Sequence, residues 1–504
     1  MELDLRLWAT QDPGRLAVRA AGRDTSYGEL EALTNQIAHV LQRQGVRRGD
    51  HVAAVIGNDV MIFAVVWGAY RLGAYITPIP STASAADAAY VVADCGASVV
   101  VVNAALAETM ASLPALAPSV GTWLSVHGAM PGFQAMEPLL RDAPATPVAE
   151  EHSGALMMYT SGTTGKPKGV IRPLPAQRQA TPAFAADLCA MFDITAGARY
   201  LSTAPLYHAA PLRWGLAFLA AGGSVIAMGK FDAAEALDLI ERERITHSQW
   251  VPTMFHRMLA LPEERRRAFH APEHRMAVHA AAPCAVPLKR AMIEWWGPII
   301  EEYYSGSEGV GLTAISTAEW LGHAGSVGRA KKGVLHVLGD DDQELGAGQT
   351  GRIFFSGISH FAYHNAPEKT AARTSRQGFQ TFGDVGHVDE EGYLFLTDRL
   401  DDMIISGGVN IYPQELEGAI SEMPEVAEAA VIGAPDPVFG EKPVCFVVPR
   451  PSVQDPAAFV ERLDAWCRDR LGRIKRPREF RVLQALPYSA QGKLLRRELR
   501  RLLA

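Results

Sequence analysis

Cysteine is scarce in this chain: five residues in 504, at positions 95, 189, 284, 445 and 467. Their number is odd, they are far apart and no Cys-x-x-Cys spacing occurs, so neither a disulfide framework nor a zinc site is signalled. A reducing, cytoplasmic location fits that usage. Long apolar runs are also missing. The most hydrophobic window, Val60 to Tyr70, is eleven residues long and bounded by Asp59 and Arg71, too short for a bilayer-spanning helix. It reads as a buried helix, and no transmembrane segment is expected. The N-terminus, Met-Glu-Leu-Asp-Leu-Arg, lacks the apolar core of a secretory signal. No sign of charge dominates: the formal balance of −7 gives no reason to expect nucleic acid or an anionic membrane as partner. The basic clusters Arg265–Arg267 and Arg496–Arg497 read as solvated helix faces. Internal repeats and low-complexity tracts are absent.

What is present points to a folded, multidomain protein. A chain of 504 residues exceeds one ordinary core and predicts two or more domains. Hydrophobic content of 48% with 20% charged residues is enough to bury a sizeable interior. Short β-branched runs alternate with helical patterns. Val52–Ile56 is followed by a helix through Trp67 and then by Ser98–Val102; Ser224–Met228 is followed by a helix from about Ala233 to Arg244. That rhythm predicts parallel sheets with helices on their faces. Stretches near 110–150 and 340–350 read as connections. Asp398-Arg-Leu-Asp-Asp402, between the apolar runs Tyr393–Leu396 and Met403–Ile405, reads as an exposed joint.

The most informative segment is Tyr159-Thr-Ser-Gly-Thr-Thr-Gly-Lys-Pro-Lys-Gly169. Glycines let backbone N–H groups approach a ligand closely, Thr160, Ser161, Thr163 and Thr164 add hydroxyl donors, and Lys166 and Lys168 add charge. Together these suit a polyphosphate. Pro167 after Gly165-Lys166 rules out a Walker A loop, which continues into a helix with Ser or Thr. An exposed turn is the bland alternative.

This segment resembles the signature loop of the adenylate-forming enzymes, which include acyl-CoA synthetases, firefly luciferase and peptide-synthetase adenylation domains. Further blocks in the family's order are Pro205-Leu-Tyr-His208, Ala281-Ala-Pro283, Tyr304-Ser-Gly-Ser-Glu308, Thr381-Phe-Gly-Asp384, Asp398-Arg-Leu-Asp-Asp402, Ser406-Gly-Gly-Val-Asn410 and Gln491-Gly-Lys493. The likeness runs from about Met157 to the end of the sequence; the first 150 residues match only in general character. It implies an α/β fold: a large N-terminal domain of layered β-sheets with flanking helices (1–398), a hinge (399–401) pivoting on Asp401, and a small mobile α+β C-terminal domain (402–504).

The resemblance also implies roles. ATP would lie against the loop residues Thr160, Ser161, Gly162, Thr163, Thr164 and Lys168, and against Ala281, Tyr304, Ser305, Gly306 and Ser307. Tyr304 would meet the purine. Asp384 would accept from the ribose hydroxyls, with Arg399 beside it. Glu308 would be the magnesium ligand, and Lys493 would bridge the attacking carboxylate and the α-phosphate. After rotation about the hinge, Gly407 and Gly408 would shape a tunnel for coenzyme A, which one of the basic clusters could assist. Taken singly, each has a plainer reading: Asp384 as a turn residue after Gly383, Arg399 in a surface ion pair, Lys493 as solvated surface. Departures from the family are Ser305 for Gly, Ser307 for Thr and Gln491 for Ser or Thr.

His208 stands where amino-acid-activating relatives carry aspartate, so an amino acid is not the expected substrate; in related ligases this position gates the pocket. Trp214, Phe218, Trp250, Ala281, Ala282 and Tyr303 are candidate acyl-site lining, although each is equally plain core. Arg213 could pair with a second carboxylate or polar group, with an outward helix face as the commoner explanation. The expected activity is an ATP-dependent, AMP-forming carboxylic acid–CoA ligase for a fatty, alicyclic or aromatic acid. The alternatives are acyl transfer to a separate carrier protein and a silent nucleotide-binding relative. A homodimer is one open assembly.

Overall fold

The computed structural model describes residues 2–160, 166–399, 402–407, 409–488 and 494–503, without the side chains of Arg399 and Asn410. Two large sheets dominate its first half. One has six parallel strands in the order Gln134–Ala135, Thr122–Val126, Ala97–Asn103, His51–Val55, Tyr75–Pro78, Ala155–Leu156. The other has nine, ordered Arg329–Lys332, Leu312–Ile315, Ile300–Tyr304, Met276–His279, His247–Trp250, Arg199–Ser202, Ser224–Ala227, Leu16–Ala20, Arg23–Ser26. Its middle is parallel and its ends antiparallel.

Between the sheets lie helices Tyr27–Arg43, Val60–Arg71 and Ala209–Ala220. Their side chains merge with Val52, Ala54 and Ile56 of one sheet and Val18, Tyr200 and Val225 of the other into a single core. All of Val60–Arg71 is buried, which is why its apolar residues run all round rather than along one stripe. Asp59 starts that helix by accepting from Met61 N, and Ser26 with Glu29 forms a capping box at the start of Tyr27–Arg43. The outer sheet faces pack on helix Ala85–Asp94 and on helices Ala233–Arg242, Pro252–Leu259 and Val286–Trp296.

A four-stranded antiparallel sheet follows: Val334–Leu338, Gly351–Ser356, Asp384–Val388, Leu394–Arg399. From Ile404 onward a separate five-stranded sheet carries helices Pro413–Ser421 and Pro456–Arg470 against one face and Leu499 of Arg496–Arg501 against the other. This is the expected α/β arrangement of large and small parts.

Three expectations change. The region near 110–150 contains Thr122–Val126 and Gln134–Ala135, the edge of the six-stranded sheet, and helix Met136–Arg141. Asp398 and Asp402 are buried rather than exposed: Asp398 accepts from Gln414 N at 2.9 Å, and Asp402 from Arg500 at 3.2 Å. Arg496 is no solvated face residue either, since it pairs with Glu417 at 2.7 Å and donates to Val431 O. Arg267 and Arg497 do face solvent.

Candidate functional site

Parallel strands place their carboxyl ends on one edge of a sheet, and ligands of open α/β sheets bind in the crevice there. Three blocks singled out in the sequence leave the nine-stranded sheet at this edge. Pro205–His208 follows strand Arg199–Ser202, Ala281–Pro283 follows Met276–His279, and Ser305–Glu308 follows Ile300–Tyr304.

A short three-stranded sheet faces the last of these. Met158–Thr160 pairs with Lys168–Ile171, Thr160 opposite Lys168, and Ala362–Tyr363 pairs on the other side. The Lys168 ammonium sits over the Tyr363 ring, 5.2 Å from its centre, and the Tyr363 hydroxyl donates to Glu308 Oε1 at 2.8 Å. One phenol thus spans the lysine of the phosphate-type segment and the candidate metal carboxylate. Burial, and then the Glu308 charge, raise the Tyr363 pKa, so the phenol stays protonated and donates. Lys166 lies over Tyr90, 4.7 Å from its centre.

Arg172 holds the Tyr304–Glu308 turn in place. Its Nη2 donates to the carbonyls of Glu308 (2.6 Å) and Gly309 (2.9 Å), and its Nη1 to Ser359 O and Oγ (both 2.6 Å). Gly306 is needed where it is, because a Cβ there would stand 2.6 Å from the Phe382 ring and 3.0 Å from Glu308 Oε2. Ser305 Oγ donates to Gly311 O at 2.8 Å, and the Ser307 carbonyl accepts from Arg213 Nη2 at 3.3 Å. Tyr304 OH donates to Asp384 Oδ2 at 2.5 Å, and Asp384 is paired in register with Arg399 across the four-stranded sheet. The Tyr304 ring stands edge-on to Phe382.

Ala281 is exposed and holds φ +73°, a left-handed conformation that costs a residue with a Cβ. Ala282 beside it is half-buried. Behind them Lys289 and Glu302 form a buried pair at 2.6 Å, with His279 3.4 Å from the same carboxylate. His208 precedes helix Ala209–Ala220, its ring edge-on to Tyr207, and burial pushes its imidazole down to about 3, so it is neutral.

Trp214 and Tyr303 share one face of the nine-stranded sheet, their rings stacked at 6.5 Å, with Phe218 beyond Trp214. Burial pushes the Tyr303 hydroxyl up to about 12. Trp250 is a correction. Strand alternation turns it to the opposite face, among Phe231, Phe255 and Trp296, with Nε1 donating to Ser248 Oγ at 2.6 Å. Gln249 takes its place beside Tyr303: Nε2 donates to the Tyr303 hydroxyl, and Oε1 accepts from Tyr200, both at 3.1 Å. Arg213 is corrected too, being half-buried rather than on an outward face.

Tyr363, Arg172 and Gln249 were not singled out in the sequence. Gly407, with φ +58°, is exposed in the small part, its N–H donating to Phe439 O at 2.8 Å. Ser161, Gly162, Thr163, Thr164, Asp401, Gly408 and Lys493 lie outside the described residues. Among the described residues no trio of His, Cys, Asp or Glu makes a metal cage. Glu308 alone fits a hard cation held mainly by phosphates, which asks the protein for one or two carboxylates. No described helix is long and apolar enough to cross a membrane.

Comparison with known proteins identifies the family and the fold. Residues 5–362 match the family model described as AMP-binding enzyme, and 415–493 the AMP-binding enzyme C-terminal domain. A long-chain-fatty-acid–CoA ligase of Mycobacterium tuberculosis is 33% identical over 98% of this chain and 97% of its own length. An indoleacetate–CoA ligase of Aromatoleum aromaticum is 34% identical over 98% and 96%. The structure of o-succinylbenzoate CoA synthetase from Bacillus subtilis with its acyl-adenylate intermediate superposes with a TM-score of 0.81 at 26% identity, covering 99% of this chain and 98% of that one.

Proposed function

The chain belongs to the AMP-binding enzyme family and is an adenylate-forming acid–thiol ligase, and we propose that it activates a fatty, alicyclic or aromatic acid, with coenzyme A itself as the thiol. A carboxylate resists acyl transfer because its charge repels nucleophiles and oxide is a poor leaving group. In the first half-reaction its oxygen bonds to the α-phosphorus of ATP as the bond to the β-phosphate oxygen breaks, and pyrophosphate leaves. In the second, the thiol sulfur bonds to the acyl carbon, AMP leaves with the C–O electron pair, and the thiol proton passes to solvent.

Bringing two anions together requires donors and cations fixed beforehand. The observation that carries the proposal is the run Lys168–Tyr363–Glu308 beside Tyr304–Asp384. It puts a cation, two carboxylates and two phenols along one wall of the crevice. In this reading Lys168 and the Thr160–Thr164 segment hold phosphates, Asp384 and Arg399 hold the ribose, and Tyr304 with Ala281 borders the purine. Glu308 holds magnesium, whose charge offsets that of the phosphates. Neutral His208 gates the acyl side without pairing with the substrate carboxylate. Residues 1–398 and 402–504 act as domains about a hinge at 399–401, with Asp401 as pivot. The hinge exchanges Lys493, used in adenylation, for Gly407 and Gly408, used in thioester formation.

Aliphatic, alicyclic and aromatic acids assayed with ATP, magnesium and coenzyme A test the reading by AMP formation. CoA-dependent AMP release without added protein is expected; dependence on a carrier protein would replace coenzyme A as the acceptor. Lys493→Ala should abolish adenylation yet leave thioester formation from supplied acyl-adenylate largely intact, and equal loss in both assays would refute the division of labour.

A further inference from the structure

Two guanidiniums flank the Ser307–Gly309 turn, and they differ in one respect. Arg172 has four acceptors within 2.9 Å. Among the described residues Arg213 reaches one carbonyl, Ser307 O, at 3.3 Å, lies 5.7 Å from the centre of the Phe184 ring, and has its Nε enclosed with no partner. Among the described residues no carboxylate comes within ion-pair distance of it. Glu308, whose charge acts on it, is engaged by Tyr363. The side chain keeps some accessible surface and lies close enough to Tyr303, which stacks on Trp214, to feel its hydroxyl.

A cation so placed is uncompensated, and a second cation beside it makes matters worse. Burial first and Arg172 second both push its pKa down from the usual guanidinium range. A guanidinium remains charged even so. Its free edge is a planar fork matched to a carboxylate.

We propose that Arg213 recognises a second carboxylate on the acid substrate, distal to the one that is adenylated, across the wall formed with Trp214 and Tyr303. The inference rests on the ligase reading above and narrows its substrate class to acids with an apolar body and two anionic ends. ATP phosphate is the competing anion for this fork, and the test separates the two.

Matched pairs of acids, octanoate with octanedioate and 3-phenylpropanoate with 3-(4-carboxyphenyl)propanoate, are compared in AMP formation by wild type, Arg213→Met and Arg213→Lys. Wild type is expected to favour the diacid at least tenfold in kcat/KM in one pair or both. Arg213→Met should erase or invert that preference through KM for the acid, with KM for ATP unchanged. Arg213→Lys, which keeps the charge, should retain part of it even if the Met variant folds poorly. Preference for the monoacid in both pairs overturns the inference and leaves the ligase reading intact. Equal losses on both members in Arg213→Met, or a raised KM for ATP, do the same. No AMP from any acid overturns both.

Discussion

Strand His247–Trp250 presents two unlike surfaces from four consecutive residues. On one face Gln249 links the hydroxyls of Tyr200 and Tyr303 beside Trp214. On the other, Ser248 accepts from Trp250 and contacts His274 at 2.7 Å amid packed aromatic rings. The second face is closed core. The first is buried as well, but its Tyr303 runs straight into the Ser305–Glu308 turn at the sheet's carboxyl edge, with Arg213 beside it. A polar group left bare in the interior is costly, and among the described residues both sides have one, Arg213 Nε by the first face and His274 Nδ1 with Trp296 Nε1 by the second, so what separates the faces is that only the first leads into the Ser305–Glu308 turn.

The strongest way to break the contrast is to cut into each face in turn. Trp250→Ala empties a site that is 1% exposed and should cost about 3–5 kcal/mol, seen as a lower urea midpoint, with the ranking of acids unchanged in whatever folds. Gln249→Leu strips a partner from two buried phenols and should cost about 1–3 kcal/mol while changing that ranking. Were Trp250→Ala to alter specificity and Gln249→Leu not, the faces would have been assigned the wrong way round.

Acid sharpens the comparison next, because each face carries a buried neutral histidine. Burial, reinforced by Arg275, pushes His247 down to about 4; burial, reinforced by His247, pushes His274 down to about 3. The unfolded chain, with histidines near 6.5, takes up protons first as pH falls. The stability contributed by keeping these rings neutral is therefore complete above about 6.5 and declines below it, levelling off only near the folded values. Urea midpoints at pH 7.5, 6 and 5 should fall in that order. His247→Gln and His274→Gln should each flatten the profile; if only one does, only one face carries the acid sensitivity.

The sequence made the blocks legible but not their partners. Thr160 to Lys168 and Tyr304 to Glu308 each compress their chemistry into a few adjacent residues. Tyr363 joins them through an edge strand almost 200 residues from Lys168, and no local pattern announces that pairing. Arg172 looks like any charge after a strand until its four acceptors arrive from two distant loops. Trp250 reads as pocket lining, where Gln249 in fact sits, because His-Ser-Gln-Trp is buried throughout, so the usual alternation of polar and apolar residues says nothing about which face is which. Asp398, Asp402 and Arg496 read as solvated charge because burial of ionised groups depends on partners supplied by the fold.

The smallest expected effect concerns the crevice rim. Ala281 follows strand Met276–His279, whose His279 is wholly buried, yet it adopts φ +73° in the open. A left-handed alanine costs roughly 1–2 kcal/mol, and glycine would remove that cost while adding about 0.5–1 kcal/mol of unfolded-chain entropy. Ala281→Gly should therefore be neutral or stabilising by up to about 1.5 kcal/mol, measured by urea denaturation beside the same change at Ala277, a fully buried strand alanine on the neighbouring closed layer. There the substitution should destabilise, since nothing strained is released and packing is lost. If Ala281→Gly is stabilising but lowers kcat for adenylation, the bent backbone is held for function; if stability falls as it does at Ala277, the rim is as relaxed as the core and the distinction between the two faces does not extend to the backbone.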